Sequence, residues 1–137
     1  MLLRYAIVLA CLLAVTALQA GEKKGLILAK WKGKVANKEL LKKKPAGGVI
    51  TDEVTRKVLW EAWKVKKKNL DKVDFKKNFM VISTTRGSIL KSFAKLSGNG
   101  NLKVMAMSSR DLRPGFTYEI LLISRDGVKT VNGKKLK

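Results

Sequence analysis

The chain contains no histidine, and its only cysteine is Cys11. Cys11 lies in an apolar leader, and we expect the chain without this leader to have neither imidazole nor thiol groups. The Ser-His-Asp and Cys-His catalytic systems are then excluded, and zinc lacks its usual ligands. A single cysteine also excludes an internal disulfide bond. The densest glycine stretches, Gly47-Gly48 and Gly98-Asn99-Gly100, are too short to form a nucleotide-binding loop. These absences predict a protein without cofactors and without enzymatic activity.

The first twenty residues predict a cleaved signal peptide. A basic start at Arg4 precedes an apolar run and then small residues, which is the layout of such leaders. We expect cleavage after Ala17 or Ala20, so that the mature chain begins at Leu18 or Gly21. Residues 21–137 are expected to form a single basic domain that is secreted or periplasmic. An uncleaved membrane anchor fits less well, because the apolar run falls short of the roughly 20 residues that span a bilayer. A lipoprotein cleaved before Cys11 is the remaining alternative, although apolar residues would then start the mature chain.

Two segments have clear periodicity. Residues 26–35 alternate between Ala29, Trp31, Gly33 and Val35 and a set of lysines, which predicts a half-exposed strand. Residues 52–67 repeat apolar side chains at helical spacing, with Thr51 as the expected N-cap and lysines at the end. Trp60 lies off the main apolar stripe of this predicted helix.

The remainder predicts strands. Residues 79–82 form a continuous apolar run, residues 102–108 and 116–123 alternate, and residues 88–96 favour a strand over other structures. The segment 98–101 predicts a turn, and Asp126-Gly127 and Asn132-Gly133 each predict a hairpin. We therefore expect an α+β fold in which one amphipathic helix packs on an antiparallel β-meander of about five to seven strands.

A shared core follows from this arrangement. We expect six side chains from the helix and the sheet to be buried together, where the helix covers the strands. They are Val58, Trp63, Phe79, Val81, Tyr118 and Ile120.

Catalysis without histidine has three remaining routes, one of which is a Schiff-base lysine that would require a lysine buried in the fold, and burial is not visible in the sequence. A serine–lysine dyad would use Ser83 or Ser92 beside Lys91 or Lys95, and a carboxylate pair would use Asp71 and Asp74. No motif supports the dyad, and lysines surround the two aspartates, which indicates salt-bridged turn residues. We therefore expect neither the dyad nor the carboxylate pair to operate.

Charge is the strongest remaining functional signal. The chain carries 30 Lys and Arg against 10 Asp and Glu, a formal net charge of +20, which attracts polyanions. Alternation predicts that Lys30, Lys32 and Lys34 form a ridge on one strand face, and that Lys42, Lys43 and Lys44 extend it. Lysine outnumbers arginine, the residue that specific base recognition prefers. The lysines therefore indicate non-specific polyanion contact or a solubilising surface.

Several short segments resemble small exported domains of the PrcB-like type. The residues that carry the resemblance are Val73-Asp74-Phe75-Lys76-Lys77, then Phe79-Met80-Val81-Ile82, with an upstream helix that bears Leu59-Trp60-x-x-Trp63. The segment Pro114–Ile120 stands where such domains have a Gly-Gly-Tyr strand. PrcB-like domains are accessory, non-catalytic subunits of a surface protease complex. The resemblance implies an α+β fold with a binding or scaffolding role and no catalytic residues.

Together these observations predict an exported, non-enzymatic binding or accessory domain of the cell envelope or extracellular space. Its expected partner is a protein or an anionic surface polymer, and not a specific nucleic-acid sequence. A non-specific polyanion binder, recognising acidic polysaccharide or nucleic acid through its lysines, is the alternative. A hydrolase with serine–lysine or carboxylate chemistry is the third and least supported hypothesis.

Overall fold

The computed structural model describes residues 22–24, 27–66 and 73–137. Within these ranges, two β-sheets and one α-helix form three layers. The four-stranded sheet has the order β2–β7–β4–β3, and the five-stranded sheet has the order β1–β5–β6–β8–β9. The strands are β1 (Glu22–Lys24), β2 (Ile27–Val35), β3 (Val49–Ile50), β4 (Asn78–Thr85), β5 (Leu90–Ser97), β6 (Asn101–Ser108), β7 (Phe116–Ser124), β8 (Thr130–Val131) and β9 (Lys134–Lys135). The helix is α1 (Glu53–Trp63), and 3₁₀ helices span Lys38–Lys43 and Ala46–Gly48.

The predicted helix is present but shorter than expected. Asp52, and not Thr51, is the N-cap, because its carboxylate accepts a hydrogen bond from the Thr55 amide at 2.7 Å. The helix ends at Trp63, since Lys64 adopts a left-handed conformation with φ 51°. The predicted extension to residue 67 reaches a position outside the described residues.

The buried face of α1 differs from the predicted stripe. Leu59, Trp60 and Trp63 are buried, whereas Val58 is 52% exposed. Trp60, which lies off the predicted apolar stripe, packs edge-on against Trp31 of β2 with ring centroids 5.7 Å apart. The prediction for Val58 was wrong because two large indole rings set the rotation of the helix.

The helix covers one face of the four-stranded sheet. Alternate residues of β7, including Phe116, Tyr118 and Ile120, meet the helix there. Trp63 lies at the centre of this contact, with its ring 5.0 Å from that of Phe116 and 5.2 Å from that of Tyr118. Its indole N–H donates to the Leu40 carbonyl at 2.8 Å, which ties α1 to the preceding 3₁₀ helix. Burial raises the pKa of the Tyr118 phenol.

The opposite face of the same sheet forms a second core. Phe79 and Val81 of β4 pack there with Leu121 and Ile123 of β7 and Leu102 of β6. These residues join the two sheets face to face. The predicted single core was therefore wrong in placing Phe79 and Val81 beneath the helix, because alternation along β4 sends them to the other side from Met80 and Ile82.

The α+β class is confirmed. Strands β2, β4, β5, β6 and β7 follow the predicted segments, whereas the short strand β3 was not predicted. Their connections are more complex than one meander. The 98–101 turn and the Asn132-Gly133 hairpin are present. The Asp126-Gly127 turn does not form a hairpin, because it carries the chain from β7 into β8 of the other sheet, where β8 runs parallel to β6.

The five-stranded sheet has a partly open edge. Strands β5 and β6 form a hairpin, but β8 pairs only with Asn101 and Leu102 of β6. The Asn132 side chain then accepts a hydrogen bond from the Val104 amide at 2.9 Å. Beyond Val104, this edge of β6 has no partner strand within the described ranges.

Candidate polyanion-binding site

The three predicted lysines of β2 lie on one face of the four-stranded sheet. Trp31 and Val35 alternate with them and point towards the helix, so Lys30, Lys32 and Lys34 point away from it. All three residues are exposed, and their Cα atoms repeat about every 6.6 Å along an extended strand. We call these three residues the lysine row.

A buried acid lies beside the lysine row. Glu119 of β7 is opposite Lys32 in the register of the two strands, and only 1% of its side chain is exposed. Its carboxylate oxygens lie 3.4 Å from the Lys32 ammonium and 4.0 Å from that of Lys30. Neither oxygen has a hydrogen-bond partner among the described residues. Because a buried charge is costly without compensation, the two lysines stabilise Glu119.

This arrangement gives Lys30 and Lys32 a structural role that the sequence analysis did not predict. We expect Lys30→Met/Lys32→Met to lower the free energy of unfolding by about 1–3 kcal/mol, since Glu119 then stays buried without a counter-charge. The effect falls below that of a fully buried pair because both lysine side chains are about half exposed, at 48% and 55%. Chemical denaturation measures the loss.

Two variants isolate the ion pair in that measurement. Adding Glu119→Gln to the double substitution should recover most of the loss, because no charge then remains buried. Lys34→Met, on the same strand face, should change stability by less than about 0.5 kcal/mol. Equal losses for Lys34→Met and for the double substitution would contradict the role of Glu119.

The lysine row borders a cleft where the two sheets meet. Its volume is about 300 Å³, and its lining includes Lys32, Lys34, Leu90 and Thr117. The Lys32 ammonium donates to the Leu90 carbonyl of β5 at 3.5 Å, so this lysine links the two sheets. The row thus lies at a rim that is open to large anions.

The predicted extension of the lysine row lies elsewhere. Lys42 and Lys43 belong to the 3₁₀ helix whose Leu40 and Leu41 pack into the core beneath α1, and Lys44 follows directly. This segment is therefore on the helix side of the four-stranded sheet, opposite the lysine row. Lys42 is paired with Glu39 at 2.6 Å. The structure does not bring the two groups of lysines together.

The serines named for a serine–lysine dyad are not placed beside the lysines named with them. Ser92 points between the sheets and is buried, with no hydrogen-bond partner for its hydroxyl among the described residues. Lys91 and Lys95 alternate with it along β5, so they point to the outer face. Ser83 instead lies opposite Glu119 in the register of β4 and β7.

The aspartates named for a carboxylate pair have a simpler position. Asp74 forms a turn before β4: its side chain accepts from the Lys76 amide at 3.0 Å, and its carbonyl accepts from the Asn78 amide at 2.9 Å. Asp71 lies outside the described residues. Asp74 therefore acts as the predicted turn residue.

Two other carboxylates hold local structure. The hydroxyl of Ser109 and the amide of Ser88 donate to Asp111 and hold the pKa of its carboxyl far below the usual value. Hydrogen bonds from Arg56 lower the pKa of Glu53 in the first turn of α1.

No group of three His, Cys, Asp or Glu residues in the described ranges could hold a metal ion. Those ranges also contain no helix with the length and apolarity that crossing a bilayer requires.

Sequence reasoning found the lysine row but missed Glu119. The alternation of residues 116–123 already placed this acid with Leu121 and Ile123 on one strand face, which was a signal for a buried charge. What the sequence did not reveal was the pairing of β2 with β7 that sets Lys32 opposite Glu119.

No family model, curated protein or solved structure matches this chain.

Proposed function

We propose that the protein is an exported, non-enzymatic binding or accessory domain of the cell envelope or extracellular space, and that it attaches to anionic polymers or partners through the lysine row. The observation that carries this proposal is the position of the row. Three lysines stand exposed along one strand at the rim of a cleft, and the acid beside them, Glu119, is buried. A large anion therefore meets the ammonium groups before it meets the carboxylate.

The chemistry of the row favours contact without sequence preference. Lysine presents a compact point charge on a flexible stem, whereas specific recognition of bases relies on the planar fork of arginine. The three tryptophans, Trp31, Trp60 and Trp63, are buried and so are not available to stack on bases. Acidic polysaccharides and nucleic acid backbones are accordingly the ligand class. The resemblance to PrcB-like accessory domains extends the proposal to an acidic protein partner.

Binding to heparin and to random-sequence duplex DNA at increasing salt concentrations tests this proposal. We expect wild-type protein to bind both at low ionic strength, with log K falling linearly with log salt. Lys30→Gln/Lys32→Gln/Lys34→Gln, combined with Glu119→Gln to avoid an unpaired buried acid, should weaken binding about tenfold or more. Its salt slope for DNA should be shallower by about 2–3, because up to three phosphate contacts are lost.

A matched control separates the lysine row from total charge. Lys42→Gln/Lys43→Gln/Lys44→Gln with Glu39→Gln also removes three lysines and one paired acid, but on the opposite side of the sheet. This control should bind heparin within about twofold of wild type at a given salt concentration. Equal losses in the two variants would assign binding to net charge and not to the row. Absence of wild-type binding at low ionic strength would contradict the proposal as a whole.

A further inference from the structure

The outer face of the β5–β6 hairpin combines exposed apolar and cationic side chains. Three apolar residues point outward there, with exposed fractions of 44% for Phe93, 48% for Met105 and 67% for Met107. Three lysines point the same way, because they share the alternation of these strands. We define the hairpin face as Lys91, Phe93, Lys95, Lys103, Met105 and Met107.

The strand register makes this face continuous. Phe93 is directly opposite Met105, and Lys91 is opposite Met107. Lys95 is opposite Lys103 one step further along the hairpin. Directly opposed side chains have Cβ atoms about 4.5–5.5 Å apart. The apolar residues therefore form one patch, with lysines beside it and at one end.

The hairpin face is not part of either core. The alternate residues of the same strands, such as Leu90 and Leu102, point inward and are buried. No described segment covers the outward side chains, as their exposure shows. Exposed apolar side chains grouped in this way indicate an interaction surface.

The positive charge of the hairpin face indicates which kind of partner binds there. Residues 75–110 contain seven Lys and Arg and no Asp or Glu, so the hairpin carries no acid of its own. A second copy of the chain would bring the same lysines face to face, which like-charge repulsion disfavours. The occupant is therefore anionic. A soluble polyanion, however, has no apolar phase to receive Phe93, Met105 and Met107.

A bilayer surface rich in anionic phospholipid supplies both requirements. Its phosphates attract lysines near the interface, while the boundary between head groups and acyl chains accepts aromatic and aliphatic side chains. Methionine is flexible and fits such irregular surroundings. We infer that the hairpin face docks on anionic phospholipid membranes, with Phe93, Met105 and Met107 at that boundary and the three lysines on the phosphates. This inference rests on the proposed role in binding anionic surfaces, but it uses a different sheet from the lysine row.

Co-sedimentation with vesicles tests the inference. The probes are phosphatidylcholine vesicles with and without phosphatidylglycerol. Wild-type protein should bind only the vesicles that contain phosphatidylglycerol. Phe93→Ser/Met105→Ser/Met107→Ser should weaken this binding about tenfold or more and leave heparin binding unchanged. The matched control Leu28→Ser/Val54→Ser/Val58→Ser removes three exposed apolar side chains elsewhere and should bind as wild type.

A second measurement does not depend on the stability of the triple variant. In a chain with Cys11→Ala, an environment-sensitive dye is attached at Met107→Cys or, as control, at Val58→Cys. The emission of the first should shift to the blue on phosphatidylglycerol vesicles, and that of the second should not. Wild-type binding to heparin without binding to these vesicles would overturn the inference alone. Equal binding to neutral vesicles, or equal shifts of the two dyes, would also overturn it.

Discussion

Replacing Trp63 by alanine is expected to lower the free energy of unfolding by about 3–5 kcal/mol, the range for large aromatic side chains in cores. Trp63 is 3% exposed and contacts both Phe116 and Tyr118 of the central strand. Its removal opens a cavity between helix and sheet, and it leaves the Leu40 carbonyl without its donor. Guanidinium unfolding followed by circular dichroism measures the loss.

Two controls separate the contributions to this loss. Trp63→Phe keeps an aromatic ring but loses the indole N–H, so it should be less destabilising than Trp63→Ala. Val58→Ala, on the same helix but exposed, should change stability by less than about 0.5 kcal/mol. An effect at Val58 as large as that at Trp63 would show that α1 is rotated relative to the structure.

Gly115→Ala is expected to destabilise the protein by about 2–5 kcal/mol, through overpacking and a left-handed backbone together. Gly115 has φ 75° and leads directly into β7. A Cβ atom there would overlap the Val35 carbonyl oxygen and lie 2.7 Å from that of Ala36. Both obstacles are backbone atoms, which side-chain rotation cannot relieve. Moving them disturbs the pairing of Phe116 with Val35 at the end of β2.

Gly133→Ala is the matched control for the backbone contribution. Gly133 has φ 79°, nearly the same conformation, but nothing lies within 4 Å of its added Cβ. We expect a loss of about 1 kcal/mol, from the left-handed conformation alone. The difference between the two variants, measured by denaturation, is the cost of the steric overlap. Equal losses would show that Gly115 is not closely packed against β2.

Local patterns were sufficient to place most elements. Alternation in residues 26–35 and 116–123 predicted β2 and β7, and apolar side chains at helical spacing in residues 52–67 predicted α1. The rotation of α1 was missed because spacing alone gave Val58 and Leu59 equal weight, while the size of Trp60 decided which side turned inward. The split into two sheets was missed because a turn such as Asp126-Gly127 fixes local direction and not the strand that is met next.

For the candidate site too, local sequence patterns predicted some features, whereas features that depend on contacts between distant segments were missed. The alternation of side chains along a strand was sufficient to predict that Lys30, Lys32 and Lys34 lie on one side of β2, because this alternation depends only on neighbouring residues. Their relation to Glu119 and to Lys42–Lys44 depends on contacts between distant segments. The sequence therefore predicted the row but neither its buried acid nor its separation from the second lysine group.

The open edge of β6 has a consequence for how copies of the chain behave together. Beyond Val104, this edge has no partner strand in the described part of the chain, and such open edges template the addition of strands from other molecules. The net charge of +20 opposes that addition by keeping copies apart. The distance over which this electrostatic repulsion acts, the Debye length, shrinks from about 10 Å at 0.1 M salt to about 3 Å at 1 M. Salt thus acts in opposite directions on the two kinds of contact: it releases polyanions from the lysines, and it removes the barrier to growth of a shared sheet.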